Sequence, residues 1–151
     1  MKTLKQVQAI VFFQGKIVLL KKRDAKFDFE KGKWISLAKA YWRLPKGKLE
    51  KGEDELQGLK RELHEECGFT RVAGAKKVFS YYYQAPKGTL RKVGCYALAV
   101  KQKPKLTRDA KAEGITAVKL FTPKQALAKL HWPREKESVK SAISSLESQK
   151  L

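Results

Sequence analysis

The sequence predicts a mixed α/β domain whose sheet needs covering on both faces, and three observations carry that expectation. Two β-branched and aromatic runs, residues 7–13 and 16–21, flank Gln14-Gly15, a two-residue connection of hairpin type. One stretch, residues 54–67, has apolar residues at spacings of three and four between well-marked ends. Elsewhere, strand patterns are interspersed with helical segments, which is the pattern of a layered structure rather than of separate all-β and all-α halves.

Each element follows from local chemistry. Residues 23–33 are polar, charged and glycine-containing, and read as a loop leading to an extended segment, 34–44, that Pro45 ends. In the helix over 54–67, Leu56, Leu59, Leu63 and Cys67 form the stripe expected to face the core. Glu53, Asp54 and Glu55 crowd the positive end of its dipole, and Gly68 followed by Phe69 fits a left-handed C-cap with an apolar residue behind it. Residues 77–84 and 90–100 are aromatic and β-branched and flank Ala85-Pro86-Lys87-Gly88, which predicts a second hairpin. Residues 101–114 read as a basic linker, 115–121 as a strand, 123–130 as a short helix opened by Pro123, and 135–148 as a C-terminal helix. Trp132-Pro133 is expected to anchor the turn into that last helix.

At 151 residues and 42% apolar content the chain suits one core, so residues 1–151 are read as a single domain. Its apolar runs, such as residues 9–13 and 17–20, fall far short of the roughly 20 residues that a membrane span requires. No membrane is expected as a partner, nothing resembles a secretory signal, and the reading is cytoplasmic. Cys67 and Cys95 give neither a disulfide framework nor metal-ligand spacing, which fits free thiols in a reducing compartment.

The formal net charge is +19, yet seven of the fifteen acids lie in GKLEKGEDELQGLKRELHEECGF, residues 47–69. Four bases sit among them, so this stretch is net −3 and the rest of the chain +22. A lysine-rich, acid-poor surface draws polyanions such as nucleotides, polyphosphate or RNA. On the helix, Glu62, Glu65 and Glu66 project from a face adjacent to the apolar one. Like charges so close raise each other's pKa unless a cation sits among them. Arg61 can neutralise one, while hard oxygen donors on consecutive turns suit Mg²⁺ or Mn²⁺. Gly58, one turn before Glu62, is expected to keep that approach open. His64 points away from both faces and His131 follows a helix end, so neither is assigned a catalytic role.

Gly47, Glu53, Arg61-Glu62-Leu63, Glu65-Glu66 and Gly68-Phe69, at these spacings, resemble the signature of the Nudix hydrolases at every defined position. The resemblance implies an α/β/α sandwich with a mixed sheet and divalent-metal-dependent cleavage of a diphosphate linkage in a nucleoside diphosphate joined to another group. It implies Glu62, Glu65 and Glu66 as metal ligands, Glu53 as a further ligand or as an orienting group acting through Arg61, and Arg61 as a tie between loop and helix. Gly47 and Gly68 take backbone roles that need close approach or positive φ. The general base is left between a box glutamate such as Glu65 and one from a later loop, for which Glu113 is the candidate.

Trp42-Arg43-Leu44-Pro45-Lys46-Gly47 resembles the W-x-x-P-K-G form of enzymes acting on diadenosine polyphosphates, diphosphoinositol polyphosphates and capped RNA. Lys46 there supplies a point charge for a long phosphate chain. Alternation puts Phe79, Tyr81 and Tyr83 on one strand face, where a base could stack on Tyr81 and Tyr83. Three readings stand: hydrolysis of dinucleoside polyphosphates, foremost diadenosine tetraphosphate to ATP and AMP; hydrolysis at RNA 5′ ends or of diphosphoinositol polyphosphates; and a binding module without turnover. The segment 23–42 is longer than in compact members of the Nudix hydrolases.

Overall fold

The computed structural model describes residues 3–85 and 88–149. Its element order is β1 (Thr3–Phe13), β2 (Lys16–Asp28), β3 (Lys33–Arg43), β4 (Lys46–Lys48), α1 (Glu55–Cys67), β5 (Lys76–Gln84), β6 (Leu90–Ala99), α2 (Arg108–Ala112), β7 (Ile115–Phe121), α3 (Pro123–Lys129) and α4 (Pro133–Gln149). Among the described residues the strands form one sheet, ordered β3-β2-β1-β6-β5, with β4 paired to β1 and β7 to β2. The β1–β6 pairing is parallel, from Thr3 opposite Leu90 to Phe12 opposite Ala99, and the other ladders are antiparallel. The sheet is therefore mixed.

Strand β1 shows why helices cover both faces. Its odd residues Val7, Ala9, Val11 and Phe13 pack with Leu59, Leu63 and Cys67 of α1 and Ala110 of α2. Its even residues Ile10 and Phe12 pack with Ala126 of α3 and Val139 and Ala142 of α4. A strand buried on both faces reads as a continuous apolar run, which residues 9–13 are. At the N-terminal end of the same strand Gln6 and Gln8 replace apolar residues on the even face, and both are buried. The α4-covered core thus gives way to a polar floor near one end of the sheet.

The first hairpin forms as expected: Phe12 pairs with Ile17 and Phe13 with Lys16. Its two turn residues, Gln14 (φ 49°) and Gly15 (φ 78°), occupy the left-handed region that a two-residue connection of this hand demands. The segment expected as a loop, 23–33, is different. Strand β2 continues to Asp28 and pairs with β3 as far as Asp28 opposite Lys33, with a register irregularity at Arg23/Ala25. It forms an antiparallel arm whose turn is residues 29–32. Phe27 is packed edge-on by Phe29 and Trp34, 4.9 and 5.4 Å between centroids, and these contacts hold charged residues in strands that their composition alone disfavours.

Two further expectations are corrected, and one strand is added to those expected. The linker over 101–114 contains α2, capped by the Thr107 side chain accepting from the Ala110 amide. Leu56 is 46% exposed, so the buried stripe of α1 begins at Leu59. Strand β4 follows Pro45 directly, because its backbone completes a ladder on β1. The second hairpin's flanks pair to Gln84 opposite Leu90, while its expected turn residues Pro86 and Lys87 lie outside the described residues. Cys67 and Cys95 are free and buried. Among the described residues no helix is long and apolar enough to cross a membrane.

Candidate active site

Helix α1 presents the acidic box, and its ends are built as the sequence predicts. Asp54 accepts from the Gln57 amide while the Gln57 side chain accepts from the Asp54 amide, a reciprocal capping box. Gly68 closes the helix at φ 74°, its amide donating back to His64.

Arg61 stands at the centre of the box. Its Nε donates to Glu53 Oε2 at 2.7 Å and Nη2 to Glu53 Oε1 at 2.9 Å, a two-pronged pair. Nη1 donates to Glu62 at 2.8 Å and Glu65 at 3.3 Å, and Nη2 also reaches the Lys48 carbonyl at 2.8 Å. Glu53 in turn accepts from the Glu50 amide at 2.7 Å. Loop, β4 and helix are thereby tied through one guanidinium, and Glu53 orients Arg61 and the loop. Hydrogen bonding to Arg61 lowers the Glu53 pKa to about 2.

The remaining carboxylates differ in environment. Burial raises Glu62 to about 7, against the opposing pull of Arg61. Burial raises Glu66 well above the usual carboxylate range, with the charges of Glu62 and Glu113 adding to it. Glu66 is 2% exposed and its Oε1 has no hydrogen-bond partner. Glu65 is the most accessible of the three, and its carbonyl accepts from the Thr107 hydroxyl that caps α2. Among the described residues no three carboxylates, thiols or imidazoles form a ready-made metal cage, because Arg61 draws Glu62 and Glu65 onto itself. The orphaned Glu66 oxygen and the hard oxygen donors beside it nonetheless fit a divalent cation better than any side chain present.

Two glycines of the box act by close approach. A Cβ on Gly47 would overlap the Glu62 carboxylate, so only glycine lets β4 lie against it. Gly58 meets Leu49 instead: a Cβ there would strike the Leu49 side chain, so this glycine seats the loop rather than opening a path to Glu62.

On the even face, Lys46 Nζ lies 4.9 Å from the centroid of Tyr83 and 3.5 Å from its hydroxyl. Tyr83 donates to Gln6 at 2.7 Å and Tyr81 to Gln8 at 3.0 Å. Tyr81 is 8% exposed and belongs to the core, which leaves half-buried Tyr83 as the ring beside Lys46. Glu113, the C-cap of α2, is exposed and close enough for its charge to act on Glu62 and Glu66.

Glu135 and Arg43 were not singled out by the sequence. Glu135, at the start of α4 and 6% exposed, accepts from the Leu44 amide at 2.6 Å and pins the segment that carries Arg43 and Lys46. Burial raises its pKa to about 7. The signal that could have pointed here is the pair Gln6 and Gln8, polar on a face that Ile10 and Phe12 continue.

A pH dependence follows. Glu62 and Glu135 bind protons more tightly folded than unfolded, so between the ordinary value of 4.5 and about 7 the native state holds more protons. Their contribution to stability is full below 4.5 and is lost as pH rises through about 7. Glu53, lowered to about 2, acts with opposite sign in a lower window. In chelator, the thermal midpoint should fall from pH 5 to pH 8, and less steeply in Glu135→Gln. A midpoint that rises over this range would contradict the burial argument.

Comparison with known proteins concerns the domain and its fold. The model of the NUDIX domain matches residues 3–142. An 8-oxo-(d)GTP phosphatase of Mycolicibacterium smegmatis is 48% identical over 50 residues, which span 33% of this chain and 15% of that protein. The solution structure of the E. coli ORF135 protein superposes with a TM-score of 0.72 at 24% identity, covering 99% of this chain and 94% of that one. A C. elegans Ap4A hydrolase binary complex superposes with a TM-score of 0.65 at 17% identity, covering 96% and 98%. These structural likenesses are of fold.

Proposed function

This chain belongs to the NUDIX domain family, and we infer that it hydrolyses pyrophosphate bonds and cleaves dinucleoside polyphosphates, diadenosine tetraphosphate foremost, to ATP and AMP. The observation that carries this choice is Lys46, held over Tyr83 on one side of the strand segment whose Gly47 abuts Glu62 on the other. A cation one residue from the glycine that abuts Glu62 would reach a phosphate chain longer than the linkage being cut, and Tyr83 would offer a ring face to a base.

Glu62, Glu65 and Glu66 would hold Mg²⁺ or Mn²⁺, which when bound would neutralise phosphate oxygens and lower the pKa of a water for attack on phosphorus. Arg61 and Glu53 keep the carboxylates in register. Glu65, accessible on the box, or Glu113 takes the proton from the attacking water. Lys46→Ala should lower kcat/KM on the tetraphosphate by about 10- to 100-fold, the worth of one charge-assisted contact, and less on a two-phosphate compound such as ADP-ribose.

A second reading is a nucleoside triphosphate such as 8-oxo-dGTP, favoured by the local identity to the mycobacterial phosphatase. Turnover with Mg²⁺ on diadenosine tetraphosphate, 8-oxo-dGTP and 5′-triphosphorylated RNA, with products separated after reaction in ¹⁸O water, decides between them. ATP plus AMP from the tetraphosphate supports the first reading. Two ADP, or rapid pyrophosphate release from either of the others with the tetraphosphate untouched, overturns it.

A further inference from the structure

Arg43 ends β3, immediately before Leu44, whose amide Glu135 holds, and three residues before Lys46. Its guanidinium carbon sits 4.5 Å from the centroid of the Trp132 ring, and Tyr41 and His131 stack alongside at 4.5 Å. Trp132 also meets both rings edge-on. The guanidinium therefore lies over an aromatic surface that holds it in place. Yet Nε and Nη2 are buried and have no hydrogen-bond partner among the described residues. Carboxylates lie near enough for Glu135, Asp24 and Glu66 to act on Arg43 electrostatically, but none closes a bond with those two nitrogens.

Nε and one Nη are the pair of donors that a guanidinium offers to two oxygens of one carboxylate or phosphate. Buried donors left unpaired are costly, and native structures seldom keep them without a use. Here they occur on a side chain held over an aromatic ring, within the field of Glu66, on the segment that also carries Lys46. We propose that Arg43 is a phosphate-binding residue, whose Nε and Nη2 grip two oxygens of one phosphoryl group in the substrate chain while Trp132 holds the guanidinium in place. This deepens the reading of the same site given above: Lys46 supplies a point charge to the chain and Arg43 a planar fork that fixes one phosphorus relative to Glu66.

The test uses the whole protein and two probes, inorganic tripolyphosphate and a methylene-bridged, non-hydrolysable diadenosine tetraphosphate, each titrated calorimetrically with Mg²⁺. Arg43→Met keeps length and packing on Trp132, and Arg43→Lys keeps the charge without the fork. Both variants should bind both probes about 10- to 100-fold more weakly, the lysine variant recovering little. KM for the hydrolysable substrate should rise by a similar factor with kcat changed less. Without ligand, Arg43→Met should melt no lower than wild type, since two unpaired buried donors are gone. A ligand-free midpoint several degrees lower with unchanged probe affinity would make Arg43 structural and overturn the proposal, as would full rescue by lysine. Tripolyphosphate separates this from the substrate assignment. Arg43-dependent tripolyphosphate binding in a protein that cleaves no dinucleotide supports the phosphate site and sinks that assignment, while turnover of the tetraphosphate with an unaltered KM in Arg43→Met does the reverse.

Discussion

Glu66→Gln should lower turnover by roughly a hundredfold or more and leave the metal-free protein as stable as wild type, or more so. Groups that merely orient metal ligands cost about 10- to 100-fold when mutated, and Glu66 is proposed as a ligand itself. The stability half comes from its surroundings. Glu66 is 2% exposed, one oxygen is unpartnered, and burial raises its pKa, so in the metal-free protein a neutral amide removes a charge that this environment disfavours. Kinetics with Mg²⁺ and melting in chelator measure the two halves separately. A melting point many degrees lower in chelator would show that the carboxylate holds the fold rather than a cation. Added Mg²⁺ should raise the melting point of wild type and much less that of the variant, since a cation that binds only the native state stabilises it by mass action.

Gly47→Ala should be nearly as damaging to activity and, unlike Glu66→Gln, should also destabilise. The new methyl would occupy the place of the Glu62 carboxylate, which is buried and tied to Arg61 at 2.8 Å. Either β4 shifts on β1, where Gly47 stands opposite Val7, or Glu62 swings away and Arg61 loses a partner. Overpacking of this kind costs about 1–3 kcal/mol. Thermal melting and kcat with Mg²⁺ should fall together. If kcat stays within a few-fold of wild type, Glu62 does not need its observed position. Gly58→Ala is the informative contrast: it strikes Leu49 in the loop, so its stability should drop with a smaller loss of kcat.

What could be read from the chain and what could not divide along a physical line. The first hairpin was legible because Gln14-Gly15 supplies the backbone conformation that its turn requires. Helix α1 was legible because its caps and its apolar spacing are both local. The β2–β3 arm was not, because its charged residues gain their strand conformation from cross-strand partners and from aromatic contacts to Phe27. Helix α2 spans too few residues to show a period, and Leu56 obeys the spacing of α1 but lies beyond the sheet's cover. In the site, box residues within one loop and helix could be assembled from spacing. The ion network around Arg61 needed the fold to show that Glu53 orients it. Glu135 meets Leu44 across ninety-one positions, and Arg43 meets Trp132 across a comparable span, so no local pattern announces either.

The parallel pairing of β1 with β6 also bears on how the protein reaches its native state. Thr3 finds Leu90 and Phe12 finds Ala99 only after everything between them has been made, and the closure entropy of so long a loop precedes any reward from the contacts. Strand β4, and with it Lys46 and Gly47, registers on that same β1. Helix α1 can form early from its own caps, but the carboxylates it carries meet their partners only when the central strand is seated. Folding should therefore be slow for a chain of this size, in milliseconds to seconds, with the acidic box completed late. Until then β1 presents an apolar stretch with unpaired edges, the interval in which association with other chains competes with folding.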